Sequence, residues 1–188
     1  MSQAKTFTQA ELDQVLRYVS GKKFGLRDRT LLLTSHWSGM RVGEIASLRI
    51  SDVRNDNGTI KAEVRLSAEQ TKGKYPRTVF LPEKLREELA YYLRYRDVSQ
   101  PDIPLFFTSK RLGFTANTLC QHFWWMYKRA GIAGASSHSG RRTFITNLAN
   151  KGVGVRVLAS LAGHRSIAVT QRYIDVNDSM KRNAVELI

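Results

Sequence analysis

The chain reads as a mostly helical α+β domain carrying one small antiparallel β-sheet. Three observations predict this. Apolar residues recur at helical spacing through most of the sequence, and capping residues and glycines punctuate those runs. Over residues 60–81 the period shifts to two, as in strands. At 188 residues with 42% hydrophobic content, the chain is long enough for one domain with its own core, expected over residues 8–176.

Thr8-Gln9-Ala10-Glu11 is a capping-box pattern and opens a helix through Leu12, Val15, Leu16 and Val19, closed by Gly21. A second helix is expected from Leu26 to His36, ending near Gly39, and a short third from Arg41 to Leu48. Ile60, Ala62, Val64 and Leu66 alternate with polar residues, and Arg77 to Leu81 is a second β-like run. Between them Thr71-Lys72-Gly73-Lys74 has the glycine and charge of a turn, so a hairpin is expected. Pro82 suits the first turn of a helix carrying Leu85, Leu89 and Leu93. Ser99 to Pro104 reads as a loop. Thr115 caps a helix with Leu119, Phe123 and Met126 on one face, stopped by Gly131. Ser139 to Lys151, Val155 to Ala162, Ser166 to Tyr173 and Asp178 to Ile188 complete the helical set.

Thirty Lys and Arg against sixteen Asp and Glu give a net charge of +14. Such a surface attracts polyanions, with double-stranded DNA the leading partner and an anionic membrane surface the second. The single cysteine, Cys120, excludes an intramolecular disulfide and a cysteine-based zinc site, and its apolar surroundings suggest core packing. No leader-like apolar run follows Met1, and no apolar stretch is long enough to span a bilayer; a cytoplasmic protein is expected.

Several polar groups sit at turns between apolar segments. Arg41 follows Ser38-Gly39-Met40 at a helix start, His138 and Arg141 lie one helical turn apart, His164 follows Gly163, and Tyr173 stands nine residues beyond. Singly, each fits a structural role: a solvated arginine, a satisfied histidine, a tyrosine at the core rim. Together and in order, the runs Ser38 to Ile45, Thr71 to Lys74, His138 to Thr146, and Leu161 to Ser166 through Tyr173 resemble the tyrosine recombinases, the phage integrase and Xer-like site-specific recombinases. The resemblance spans residues 8 to 180, the catalytic domain of that family.

The resemblance implies cleavage and rejoining of DNA through a 3′-phosphotyrosyl link to Tyr173, without metal, ATP or other cofactor. It implies that Arg41 and Arg141 hold the scissile phosphate, His138 is the acid/base partner, His164 donates to the phosphate and Lys72 protonates the leaving 5′-oxygen. The residue types suit phosphoryl transfer. Arginine forks stay charged and match phosphate, whereas the sixteen acids are scattered rather than set at metal-ligand spacing. Glu44, one turn after Arg41, is expected to orient that guanidinium. Lys74, Arg142, Arg165 and Arg172 are expected DNA contacts.

In the resemblance, the last helix links protomers into a tetramer on synapsed DNA, with a monomer expected when DNA is absent. A DNA-clamping domain is expected to be missing before residue 8. Gly140 and Ala162 depart from the family pattern, and Gly140 is expected to loosen the helix start. Two other readings stand beside this one. Val155 to Tyr173 could be the helix-turn-helix of a non-catalytic regulator, reading DNA with Arg165, Gln171 and Arg172. A type IB topoisomerase would share the chemistry but only relax DNA.

Overall fold

A computed structural model describes residues 4–96, 98–110, 112–174, 178–186 and 188. It is the expected mostly helical α+β domain. In chain order its elements are α1 (Gln9–Ser20), α2 (Gly25–Ser38), α3 (Val42–Ser47), α4 (Ile50–Val53), β1 (Glu63–Leu66), β2 (Arg77–Phe80), α5 (Glu83–Arg94), α6 (Ala116–Arg129), α7 (Ser139–Asn150), α8 (Val155–Ala162), α9 (Ile167–Gln171) and α10 (Asp178–Val185). The strands pair antiparallel with Val64 opposite Val79, and loop 67–76 joins them.

The capping box at Thr8 is formed in both directions, and α1 sends Leu12, Val15 and Val19 into the core. Helix α2 packs against α1, α3, α5 and α7 and is buried on nearly every side, not only at Leu31, Leu32 and Leu33. A helix with so many hydroxyls can be buried because three of them are satisfied locally. Thr30 donates to the Leu26 carbonyl, Thr34 to Thr30 and Ser38 to Thr34, at 2.9, 2.7 and 2.6 Å. Residues from α1, α2, α3, α5, α6 and the sheet share the main apolar cluster, with Phe123 and Tyr127 stacked inside it.

Several sequence expectations are corrected. Ile60 is not in the hairpin: it bridges Arg54 while Lys61 donates to the Val53 carbonyl, so the strand begins only at Glu63. The short helix α4 has too few residues to show a period. Helix α9 stops at Gln171 and Tyr173 lies in the turn beyond it. Three of its five residues, Ile167, Val169 and Thr170, are β-branched, and the Thr146 hydroxyl captures the Tyr173 carbonyl at 3.1 Å. The final helix ends at Val185 rather than Ile188. Cys120 is half-buried and donates to the Ser137 hydroxyl.

Gly140 tightens the fold instead of loosening it. A Cβ there would lie 2.3 Å from the Ser35 hydroxyl and 3.0 Å from His36 Nδ1, so only glycine lets α7 pack this closely on α2. Among the described residues no helix is long and apolar enough to cross a membrane.

His36 is buried beneath this contact, with Nδ1–H donating to the Leu32 carbonyl and Nε2 without a partner. Burial pushes its pKa down to about 4, only partly opposed by the Leu32 bond. The unfolded chain, titrating near 6.5, takes a proton that the folded protein refuses. Stability is therefore full above about pH 6.5 and falls as the pH drops toward 4. Urea unfolding should show the wild type losing about 3 kcal/mol more than His36→Gln between pH 7 and pH 4. Parallel losses in the two proteins would contradict this origin.

Candidate active site

Arg41 sits at the N-cap of α3, where the chain leaves α2 through Gly39 and turns. Its backbone N–H donates to Glu44 Oε2 at 2.6 Å and its guanidinium to Glu44 Oε1 at 3.1 Å. Glu44 is 1% exposed and also accepts a bidentate fork from Arg77 of β2, at 3.1 and 2.7 Å. Burial alone would raise the Glu44 pKa, but the hydrogen bond and charge of Arg77, followed by those of Arg41, hold it below the usual carboxylate range. Both arginines then reach the C-terminal end of α8: Arg41 donates to the Gly163 carbonyl and Arg77 to that of Leu161, each at 2.9 Å. Arg77 also packs under Gly163, which is left-handed at φ 62° and where a Cβ would lie 2.7 Å from the Arg77 side chain.

Arg141, in the first turn of α7, is buried. It donates to the Gly39 carbonyl at 2.6 Å, to the Ala162 carbonyl, and to His164 Nε2 at 2.8 Å. A guanidinium has only donors, so Nε2 of His164 must be the acceptor. The ring proton is then on Nδ1 and is donated to the Thr170 hydroxyl at 2.9 Å. Burial, then the charges of Arg141, Arg41 and Arg77, push His164 down to about 4, in agreement with a neutral ring. As placed, His164 aligns Arg141; donation from Nε2 to a phosphate requires that proton to move across the ring and this contact to break. The Tyr173 ring stacks on His164 at 5.6 Å between centroids and 23° between planes.

Two open clefts meet at Val169. One, of about 550 Å³, is lined by Arg41, Lys72, Arg77, His164 and Arg165. The other, of about 420 Å³, is lined by His138, Arg142, Arg172 and Tyr173. Lys72 is exposed in loop 67–76, near enough that its charge, after burial and Arg141 and ahead of Arg41, lowers the His138 pKa. Arg165 lies 4.7 Å over the Tyr75 ring and so ties that loop to the turn after α8. Arg142 is buried at 9% exposure with its guanidinium 5.8 Å from the Tyr173 ring centre. Lys74 is exposed on loop 67–76 with a left-handed φ of 54°. Arg77 and Thr170 are participants that sequence reasoning missed. Arg77 read only as a strand residue, and its one available signal was a charged residue opening a strand beside the lysine turn.

The α7–α9 assembly, the hairpin and the guanidinium cluster together are the architecture of a tyrosine recombinase catalytic domain. A model of the phage integrase family matches residues 5–180, and the chain belongs to that family. Tyrosine recombinase XerA of Pyrococcus furiosus is 29% identical over 186 residues, covering 97% of this chain and 61% of that protein. The crystal structure of XerA recombinase superposes with a TM-score of 0.77 at 26% identity, over 100% of this chain and 66% of the other. The Tn1549 transposon integrase, solved in complex with transposon right end DNA, gives a TM-score of 0.75 at 19% identity, over 100% of this chain and 67% of the other, a likeness of fold. The chain thus spans about 61% of the length of the first of these relatives.

Removing the Glu44 charge would leave two guanidiniums facing each other with no counter-ion. Glu44→Gln should cost about 3 kcal/mol in denaturant unfolding, with exposed Glu87→Gln as the near-neutral control. Equal effects of the two substitutions would contradict the clustering described.

Proposed function

We propose that this domain cleaves and rejoins DNA strands through Tyr173, as a site-specific recombinase. One observation carries the reading. Two guanidiniums, Arg41 and Arg141, are locked by backbone carbonyls around a neutral imidazole, and a tyrosine ring is stacked on that imidazole. The residue order and the family support it. Residues 8–176 are the catalytic unit in this reading, and double-stranded DNA is the partner.

The phosphodiester would enter between the two clefts with its non-bridging oxygens toward Arg41 and Arg141. Charge on those oxygens grows as phosphorus becomes five-coordinate, and fixed guanidiniums stabilise it without reorganising. Tyr173 Oη attacks phosphorus and gives up its proton to His138, which burial and then the surrounding cations favour in its neutral, proton-accepting form. The P–O bond to the 5′-oxygen breaks, and Lys72 supplies the proton to that oxygen. The phosphotyrosyl bond keeps the free energy of the phosphodiester, so another 5′-hydroxyl can reverse the step with no nucleotide consumed. Lys74, Arg165 and Arg172 would follow the flanking backbone, while Arg142 faces inward to Tyr173. α10 would pack on a neighbouring protomer in a tetramer on synapsed DNA; its exposed Val185 and the nearby Ile188 support this.

A nicked duplex that releases its 5′-fragment should trap the wild-type chain as a covalent DNA adduct and leave Tyr173→Phe unlinked. Arg41→Ala and Arg141→Ala should each slow adduct formation about 10²–10³-fold. No adduct with wild type, or one that survives Tyr173→Phe, would contradict the reading; DNA retention without any adduct would favour the helix-turn-helix regulator.

Deleting residues 179–188 should lower the mass of the DNA-bound assembly in sedimentation and leave the thermal midpoint unchanged. An unchanged assembly would remove α10 from that role.

A further inference from the structure

A separate cavity of about 460 Å³ opens where α1, α2, α5 and α7 meet. Its walls are mostly apolar, with Phe7, Leu12, Trp37, Phe144 and Leu148 contributing. Two cations also line it, Lys84 and Lys151. Among the described residues neither is ion-paired with a carboxylate. Lys84 lies 4.3 Å over the Trp37 ring, and burial together with the Lys151 charge lowers its pKa. The wall further includes His36, 4% exposed, whose Nε2 has no partner.

These features select one ligand chemistry. An anion relieves the repulsion between the two ammonium groups, which a neutral molecule cannot do. An aromatic or branched apolar body covers the Trp37, Phe144 and Leu148 surface, which an inorganic anion would leave wet. The cavity also touches the candidate active site through one short contact. The Phe144 ring lies so close to Gly39 that a Cβ there would be 2.5 Å away, and the Gly39 carbonyl holds Arg141.

We propose that this cavity binds a small organic anion with an aromatic or branched apolar body, and that occupancy is transmitted to Arg141 through Phe144 and Gly39. The site is independent of whether Tyr173 cleaves DNA. Such a coupling lets a bound metabolite-sized carboxylate adjust the fork that faces the phosphate.

The test uses 1-naphthoate with the full ¹⁵N-labelled chain, and 1-naphthalenemethanol and inorganic phosphate as the neutral and non-aromatic comparisons. Naphthoate should bind one saturable site in calorimetry. Its affinity should fall at least about tenfold in Lys84→Ala/Lys151→Ala and stay unchanged in Lys22→Ala/Lys23→Ala. Both comparison compounds should bind at least about tenfold more weakly than naphthoate. The Trp37 indole and Arg141 Nε–Hε resonances should shift along the same curve, with Arg141 assigned through Arg141→Lys. Binding that survives the double lysine change would overturn the proposal. An Arg141 resonance unmoved at saturation would overturn the transmission.

Discussion

Glu44 offers one carboxylate to two guanidiniums in a place that water does not reach. The rest of the cleft is arranged around that contact. Arg41 reaches it from the helix start that follows Gly39, and Arg77 reaches it from the first residue of β2. The same two side chains then bind the carbonyls that end α8. One buried charge therefore fixes three separate pieces of chain, namely the α2–α3 turn, the hairpin and the α8–α9 turn. A buried carboxylate is costly unless it is fully paired, and here both oxygens are.

The electrostatic consequence is a concentration of positive charge that the protein itself only partly neutralises. Arg41, Arg77 and Arg141 converge with one carboxylate among them, and Lys72 stands at the edge. A neutral His164 is the natural companion of such a cluster. A protonated ring would face Arg141 donor to donor and lose the bond that aligns it. Backbone carbonyls at Gly39, Ala162 and Gly163 restrain the guanidiniums without cancelling their charge, so the attraction for an anion entering the cleft is preserved.

Much of the fold was legible because its signals are local. The Thr8 and Thr115 caps, the leucines of α5 and the alternation around Val64 each report on a few neighbouring residues. Arg41, Lys72, His138, Arg141, His164 and Tyr173 stood out only as an order along the chain; in the fold Arg41, Lys72, His138, His164 and Tyr173 line two adjoining clefts, and Arg141 lies buried behind them, bonded to His164. What escaped depends on pairings distant in sequence. Arg77 meets Glu44 across 33 residues, and nothing near Arg77 announces it. Gly140 looked like a weak helix start because its reason lies on another helix, at Ser35 and His36. The end of α9 before Tyr173 follows from a hydroxyl on α7.

The protonation state of His164 is where this arrangement of charges is most directly measured. Long-range ¹H–¹⁵N correlation of the histidine rings, followed from pH 8 to pH 4, reads tautomer and titration together. The proton should sit on Nδ1, with a bare Nε2 accepting from Arg141, and the ring should stay neutral until the pH approaches about 4. A ring carrying its proton on Nε2, or titrating near 6.5 as in a free histidine, would contradict that arrangement.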